Sequence, residues 1–394
     1  MHKGSGRTDL WTSMRAYDET FTWLRFRAEL RLAPPSFWIL LGDVIALQRQ
    51  LRTAPMPRTE ARSLERSVVT EGLAARLALD GHALTTDQVR AHLEGRDPAL
   101  PDEPLLRDVD DLFLADQQLQ AASLEDLPAI DPEALLALHR SVTRTTGGPG
   151  GAGRWRTTEG HFRHGGVPPD LIASFMEELC DWLAGPELAG PAPDEALHHA
   201  LLKGLLLELH IAWIAPFDQG NSRVAGLAMQ HLLLTAGGDN LLSHLTAWHF
   251  HRSRPEYIRQ VDQAAQGQGD PIPFIAYALR GIHAGLEDLI ARMRAAQTTG
   301  LWRDHVRSAL DGVPGARSDR QAHLLMELGE RRSPVAPSAI LTLTPELARA
   351  YAGLSSKTLQ RDLEDLAATG ILIRTPQGVL VRKAPILAFK GREQ

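Results

Sequence analysis

Hydrophobic residues recur at spacings of three and four along most of the chain, and runs of β-branched residues are scarce before its C-terminal end. This periodicity predicts amphipathic helices. The most apolar segment, residues 196–214, is interrupted by charged and histidine side chains, among them Lys203 and Glu208. It therefore predicts a buried central helix of a bundle and not a membrane span. The pattern as a whole predicts a mainly α fold.

The helical pattern falls into two regions before residue 300. Residues 1–130 are predicted to form helices separated by proline-rich turns, with an amphipathic helix at 60–79. Residues 131–300 follow, and their first helix begins at Asp131 with a proline in its first turn. We therefore predict an N-terminal helical region at 1–130 and a core domain at 131–300.

Residues 319–394 have a different pattern from the rest of the chain. A helix and a short second helix are followed by a third helix at 354–370 and by two short strands at 371–374 and 379–381. Helix, short helix, helix and hairpin is the order of a winged helix. We therefore predict a winged-helix (α+β) domain at 319–394.

The third of these helices has the residue types of a DNA-recognition helix. Leucines at spacings of three and four predict its inward face, and Lys and Arg outnumber Asp and Glu by four between residues 320 and 394. The residues predicted to face DNA are Ser356, Lys357, Thr358 and Arg361. Acidic residues stand close by, and many such domains serve protein contacts, so protein binding is the alternative.

The overall composition excludes several classes of protein. The net charge of the 394 residues is −6, so any nucleic-acid contact has to come from a local basic patch. Cys180 is the single cysteine, which excludes an internal disulfide and a cysteine-built zinc site. The N-terminus has no apolar stretch of signal-peptide length, so we expect a cytoplasmic protein without membrane association.

The candidate chemistry lies in residues 215–226, Ala-Pro-Phe-Asp-Gln-Gly-Asn-Ser-Arg-Val-Ala-Gly. A Gly-Asn turn before a helix presents free backbone N–H groups and the positive end of the helix dipole, which together favour an anion. Arg223, in the first turn of that helix, adds a cation. The pattern indicates a phosphate site, although Gly-Asn turns also begin ordinary helices.

This segment resembles the signature of the Fic family, His-Pro-Phe-x-Asp/Glu-Gly-Asn-Gly-Arg-x-x-Arg. The matching positions are Pro216, Phe217, Gly220, Asn221 and Arg223. Further stretches between residues 55 and 300 resemble the family in order and spacing, and the residues around the signature resemble a bacterial subgroup that ends in a winged helix. The resemblance implies a Fic-type helical bundle with a short β-hairpin flap. It also implies a relation to enzymes that transfer AMP from ATP to hydroxyl groups of target proteins.

Four positions depart from the signature, and each departure removes chemistry. Ala215 stands where the family has its catalytic His, Gln219 at its acidic metal ligand, Ser222 at its second glycine and Gly226 at its second arginine. Alanine has no proton acceptor, and a neutral amide is a poor ligand for Mg²⁺. The resemblance therefore implies no intact catalytic residue, no intact metal ligand and negligible AMP transfer.

The remaining signature residues are those that bind nucleotide in the family. The resemblance assigns contacts with nucleotide or phosphate to Phe217, Gly220, Asn221, Ser222 and Arg223. ATP is the implied ligand, with Mg²⁺ bound weakly.

A segment before the core resembles the inhibitory motif of the family. Ser67, Glu71 and Gly72 fit the pattern Ser/Thr-x-x-x-Glu-Gly/Asn. In the family this Glu pairs with the second arginine of the signature, which is Gly226 here. Glu71 is therefore left to reach Arg223 or to serve helix packing.

Residues 153–169 stand at the place of the family's target-docking flap. The basic and aromatic residues of this flap, which would favour an acidic segment of a target protein, are Arg154, Trp155, Arg156, His161 and Arg163. An ordinary surface hairpin is the alternative.

Two functions of different classes follow from the sequence. In the first, the chain is a degenerate Fic protein that serves as a binding or regulatory module, with DNA as a partner of its C-terminal domain. In the second, it is an active transferase of nucleotidyl or phosphoryl groups that uses another base, such as His210 or a flap histidine. Fic proteins often pair into homodimers, and no residue of this sequence decides whether this chain does.

Overall fold

The computed structural model describes residues 20–96, 103–123, 127–147, 151–159, 167–189 and 195–383. These residues are mainly helical, with one two-stranded sheet in the described part of the chain, so the predicted mainly α fold is confirmed. The chain divides into two compact units. The first comprises Met1–Ala54 and Arg62–Ile290, and the second comprises Pro55–Ala61 and Ala291–Gln394. The domain boundaries taken from the sequence stay predictions.

The first unit is a bundle of helices around one apolar helix. In chain order the helices are α1 (Pro35–Thr53), α2 (Arg58–Leu79), α3 (Thr86–Leu93), α4 (Glu103–Ala121), α5 (Pro132–Val142), α6 (Ile172–Ala184), α7 (Ala196–Ile214), α8 (Asn221–Thr235), α9 (Leu241–Arg252), α10 (Arg254–Gln266) and α11 (Ile272–Ala309). The start of α2 and the last part of α11 belong to the second unit.

The central helix α7 is the apolar segment of the sequence. It is apolar on all sides, so that α1, α6, α8 and α10 pack around it. Gly204 permits the close approach of α8, because a Cβ there would lie 2.6 Å from Met229 Cγ. The buried Glu208 carboxylate is paired inside the bundle with Arg76 of α2. Among the described residues, no helix is both long enough and apolar enough to cross a membrane.

Sequence signals also located the starts of individual helices. The predicted helix at 60–79 lies within α2, which begins two residues earlier, at Arg58. Asp131 caps α5, since its carboxylate accepts a hydrogen bond from the Ala134 N–H at 2.7 Å and Pro132 occupies the first helical position.

The second unit has a hydrophobic core of its own, which includes Trp302, Leu325 and Leu363. Its remaining elements are α12 (Gly315–Gly329), α13 (Pro345–Ala350), α14 (Ser356–Ala368), β1 (Leu372–Thr375) and β2 (Gly378–Val381). The strands are antiparallel, with Leu372 opposite Val381. This is the element order on which the winged-helix prediction rests.

Candidate functional site

The loop that follows α7 begins with a left-handed residue, Ala215. Its φ of 47° and ψ of 63° cost a residue with a Cβ on the order of 1–2 kcal/mol. Arg156 holds this turn, because its Nε donates to the Ala215 carbonyl oxygen at 2.7 Å and its Nη2 donates to the Val167 carbonyl oxygen at 2.5 Å. The Arg156 backbone N–H also donates to the Pro216 carbonyl oxygen at 2.9 Å. The buried Arg156 guanidinium therefore fixes the start of the loop.

The loop is closed by two hydrogen bonds between Phe217 and Asn221. Asn221 Nδ2 donates to the Phe217 carbonyl oxygen at 2.8 Å, and the Phe217 N–H donates to Asn221 Oδ1 at 3.0 Å. Gly220 follows with a φ of 81°, a conformation that favours glycine. The loop therefore sets the position at which α8 begins.

His139 of α5 joins the loop to the flap, a role that the sequence analysis missed. Its ring stacks on Phe217 with the ring centroids 3.9 Å apart. Its Nε2 lies 3.2 Å from the Gln219 carbonyl oxygen, and its Nδ1 accepts the Gly153 N–H at 3.0 Å. Because Nδ1 is the acceptor, Nε2 carries the proton and donates to Gln219. Burial lowers the pKa of His139 to about 4, so the ring is neutral near pH 7.

The N-terminus of α8 contacts a carboxylate of the chain itself. Asp80, directly after α2, accepts hydrogen bonds from the backbone N–H groups of Ser222 at 2.8 Å and of Arg223 at 3.3 Å. The Arg223 Nε also donates to Asp80 Oδ2, at 2.9 Å. In this structure the helix terminus and Arg223 therefore bind the Asp80 carboxylate, and the contacts with phosphate stay a prediction.

The other side of the Arg223 guanidinium is also occupied. Its Nη1 donates to Asp108 Oδ1 at 2.6 Å and to the Val142 carbonyl oxygen at 2.9 Å. Asp108 also accepts the Thr146 hydroxyl and lies 3.1 Å from His82 Nε2. Burial acts to raise the pKa of Asp108, but the hydrogen bonds from His82 and Arg223 hold it below its ordinary value. Arg223 is thus a fully buried cation between two carboxylates.

Gly226 provides the space in which an arginine of α2 lies. A Cβ at Gly226 would lie 2.4 Å from the Arg76 Nε. The Arg76 Nη2 lies 2.5 Å from the Glu208 carboxylate, and its Nη1 donates to the Ser222 carbonyl oxygen at 3.4 Å. Burial raises the pKa of Glu208, while the charge of Arg76 opposes that shift. The absence of a side chain at 226 therefore allows an internal ion pair.

In the described part of the chain, the segment that resembles the inhibitory motif forms no hydrogen bond or ion pair with Arg223. The Glu71 carboxylate accepts the Ser67 hydroxyl at 2.9 Å, and the carboxylates that pair with Arg223 are those of Asp80 and Asp108. Residues 71 and 80 are separated by about 13 Å along a helix axis, which is why Glu71 does not reach the start of α8. Gly72 serves packing, because a Cβ there would lie 2.4 Å from His244 Nδ1 of α9.

Three of the predicted flap residues, Arg154, Trp155 and Arg156, lie in the described part of the chain, and they differ in burial. Arg156 was included among them, but its guanidinium is buried against backbone carbonyl oxygens of the core. Trp155 is half-buried beside Phe217, and Arg154 is exposed. Residues 151–159 and 167–169 contain no strand, and His161 and Arg163 lie outside the described residues.

The donor set of the loop does not suit Mg²⁺. Asp218 Oδ1 accepts the Thr158 hydroxyl at 2.6 Å, so this carboxylate is turned toward the flap. Gln219 supplies only a neutral side-chain amide, and its backbone carbonyl oxygen already accepts from His139 Nε2. The Asp80 carboxylate is engaged by three N–H donors. Mg²⁺ prefers several oxygen ligands with near-octahedral geometry, which two engaged carboxylates and one neutral amide do not offer.

His210, the alternative base, is a core histidine. Its ring is buried and stacks on Phe26, with ring centroids 5.6 Å apart. Its Nδ1 lies 2.7 Å from the Leu206 carbonyl oxygen of the preceding helical turn. Burial lowers the pKa of His210 to about 4. It is therefore enclosed by the packing of α7 and does not line the loop.

The C-terminal unit leaves two basic side chains of α14 without ion-pair partners among the described residues. Lys357 and Arg361 are exposed and four residues apart, so they lie on one face of the helix. The Thr358 hydroxyl lies 3.2 Å from the Ser355 hydroxyl at the helix start. The side chain of Ser356 lies outside the described part of the chain.

The acidic residues of the same helix are each paired with an arginine. Asp362 is buried, accepts from Arg320 Nε at 2.8 Å and also accepts the Tyr351 hydroxyl at 3.0 Å. Asp365 pairs with Arg317, and Glu364 lies 3.7 Å from Arg374 of β1. Each acidic side chain of α14 therefore has an arginine of the same unit within 4 Å, although the pairs of Asp365 and Glu364 are solvent-exposed.

Comparison with known proteins supports the resemblance of residues 215–226 to the Fic signature. Residues 129–233 match the model of the Fic/DOC family, and this span contains the loop and most of α8. The protein adenylyltransferase Fic of Nematostella vectensis is 28% identical over 209 residues, which cover 52% of this chain. The match spans 44% of the length of that curated relative.

Solved structures of Fic proteins share the fold. Fic-1 of C. elegans (residues 134–508) is 22% identical, with a TM-score of 0.53, and the match covers 66% of this chain and 74% of that one. A Fic family protein from Desulfovibrio desulfuricans G20 is 19% identical, with a TM-score of 0.51, and the match covers 91% of this chain and 98% of that one.

Proposed function

Since the chain belongs to the Fic/DOC family, we propose that it is a Fic protein that has lost AMP transfer and acts as a binding or regulatory module. The observation that carries this proposal is the carboxylate of Asp80 on the N-terminus of α8. A relative of this chain is a protein adenylyltransferase. Transfer of AMP requires a base, a phosphate site and a cation in one place. The residues around the loop at 215–226 do not supply these three together.

The base is missing at the position where the family has it. Ala215 cannot accept a proton from an attacking hydroxyl group. The nearby His139 uses both ring nitrogens in hydrogen bonds that hold the loop, so it has no free acceptor either. The loss of a positioned base costs about 10²–10⁴-fold in rate.

The phosphate site is closed by a negative charge. An incoming phosphate would have to displace Asp80 from two backbone N–H groups and from Arg223. The released carboxylate would then stand close to a polyanion, with Asp108 still present behind the guanidinium. Like charges at such short distances repel, so both steps oppose nucleotide binding.

A transfer and binding assay tests this proposal. The full chain is incubated with ATP labelled at the α-phosphate, alone and with cell lysate, and ATP binding is measured by calorimetry with and without Mg²⁺. We expect neither transferred label nor binding heat. The repaired variant Ala215→His/Gln219→Asp/Ser222→Gly/Asp80→Ala is expected to bind ATP. Label transferred by the unchanged chain would contradict the proposal and support the alternative of an active transferase.

A second candidate function is DNA binding by the C-terminal unit. It is supported by Lys357 and Arg361, exposed and unpaired among the described residues, on a helix whose acidic residues are each paired. A gel shift with duplex DNA at several salt concentrations tests it. We expect Lys357→Ala/Arg361→Ala to abolish the shift, while Arg349→Ala, an exposed arginine of α13 paired with Glu346, leaves it unchanged. An unchanged gel shift with Lys357→Ala/Arg361→Ala would contradict the assignment of DNA binding to this face of α14.

A further inference from the structure

A cleft of about 520 Å³ lies between α2, α3 and α4 in the first unit. We name it the α2–α4 cleft, and its lining residues lie between Arg62 and Gln117 of the sequence. Pockets that bind small molecules have volumes of about 300–1,000 Å³. The cleft therefore has the size of a small-molecule site. Its described lining residues belong neither to the loop at 215–226 nor to the C-terminal unit.

The inner part of the cleft is mainly apolar. Val69 is buried, and Leu93 and Phe113 are half-buried and pack against the hydrophobic core of the first unit. An aromatic ring such as that of Phe113 pairs favourably with another ring in offset-stacked or edge-to-face contact. Thr70 and Gln117 add a hydroxyl group and an amide to the lining. The inner part therefore suits the ring of a ligand.

Two arginines of α2 also line the cleft. Arg62 and Arg66 are exposed and four residues apart, so they lie on one face of the helix. Neither guanidinium has a hydrogen bond or an ion pair within the described part of the chain. Like charges at this spacing destabilise a helix, and an anion bound between the two side chains would remove that repulsion.

The other charged groups of the cleft leave its balance positive. Arg90 of α3 pairs with Asp87 at 2.8 Å, and Glu94 pairs with Arg96. Glu65 is exposed and has no ion pair among the described residues. Two unpaired guanidinium groups of α2 therefore face one unpaired carboxylate, and the cleft favours an anion.

We propose that the α2–α4 cleft binds a small aromatic acid. The ring of the ligand lies against Phe113 and Leu93, and its phosphate or carboxylate group is held by Arg62 and Arg66. A guanidinium group matches both of these acid groups, because its N–H donors form a planar fork that can bind two oxygens at once. An inorganic anion would gain nothing from the apolar lining, and a neutral ring would gain nothing from the arginines.

Calorimetry of the full chain with four probes tests the proposal. The acids are 1-naphthyl phosphate and 1-naphthoate, which distinguish a phosphate ligand from a carboxylate ligand. Inorganic phosphate and neutral 1-naphthol each lack one half of the proposed ligand. We expect at least one of the two acids to bind about tenfold or more tightly than either of the incomplete probes. Binding of neither acid, or equal binding of inorganic phosphate, would overturn the proposal.

Charge variants then locate the bound acid. We expect Arg62→Gln/Arg66→Gln to raise its dissociation constant by about tenfold or more. Arg303→Gln/Arg307→Gln is the matched control, since it also removes two exposed arginines four residues apart, on α11, and it should leave binding unchanged.

A further variant is expected to act in the opposite direction. Glu65→Gln should tighten binding of the acid, because it removes the unpaired negative charge of the cleft. A damaged fold cannot produce this gain. Unchanged binding in both Arg62→Gln/Arg66→Gln and Glu65→Gln would place the acid elsewhere, the loop at 215–226 included, and would overturn the proposal. None of these outcomes depends on AMP transfer or on DNA.

Discussion

At the scale of single residues, Asp80 is the side chain on which the proposed loss of phosphate binding depends. Asp80→Ala would free the backbone N–H groups of Ser222 and Arg223 and the Arg223 Nε. The Arg223 Nη2, which is buried without a hydrogen-bond partner, would be a further donor for an incoming anion. We therefore expect Asp80→Ala to bind inorganic pyrophosphate, measured by calorimetry, while the unchanged chain does not.

The same change should lower the free energy of unfolding by about 1–3 kcal/mol in the absence of ligand, because it leaves charged donors without their acceptor. Pyrophosphate should restore part of this loss in the variant alone. Asp87→Ala is the control, since Asp87 is exposed and pairs with Arg90 away from the loop. If Asp80→Ala and Asp87→Ala bind pyrophosphate equally weakly, Asp80 does not close the site.

His139 makes the free energy of unfolding of the chain dependent on pH. Its pKa is about 4 in the folded chain and near 6.5 when exposed, so the unfolded chain takes up the proton first as the pH falls. The stabilisation is complete above pH 6.5 and is lost as the pH falls toward 4, by about 3 kcal/mol for a shift of this size. Urea unfolding at several pH values should therefore show a smaller loss between pH 6.5 and 4 for His139→Gln. A loss of stability of the same size in the unchanged chain and in His139→Gln would show that His139 is not the source of this pH dependence.

At the scale of elements, the packing of α2 on α8 depends on the missing side chain at Gly226. Alanine usually stabilises a helix relative to glycine by about 1 kcal/mol. At 226 the Cβ would meet the Arg76 Nε, and Arg76 is held by Glu208. We expect Gly226→Ala to destabilise the chain by about 1–3 kcal/mol in urea unfolding. Gly42→Ala, with open space around it, should stabilise the chain; equal effects of the two changes would contradict this account.

The elements themselves could be predicted from the sequence, and the partners of the site could not. Periodicity predicts α2 and α14 because each presents an apolar face at helical spacing, and the long apolar segment at 196–214 predicts α7. The pairing of Arg223 with Asp80 and Asp108 joins residues 143 and 115 positions apart, and no local pattern reports such a contact. Arg156 illustrates the same limit, since basic residues in a glycine-rich stretch predict an exposed loop, while its buried guanidinium is satisfied by backbone oxygens.

At the scale of the whole molecule, the proposed activities lie in different parts of the chain. The loop before α8 belongs to the first unit, and the basic face of α14 belongs to the second. A change of the residues at 80 or 215 therefore leaves the proposed DNA-binding face without any altered residue.

The independence of the two proposed functions can be measured with one duplex. We expect Asp80→Ala to leave duplex binding unchanged, as measured by fluorescence anisotropy at low salt, because Asp80 belongs to the first unit and α14 to the second. Lys357→Ala/Arg361→Ala should weaken binding to the same duplex. Loss of duplex binding with Asp80→Ala would show that the loop before α8 and the C-terminal unit do not act independently.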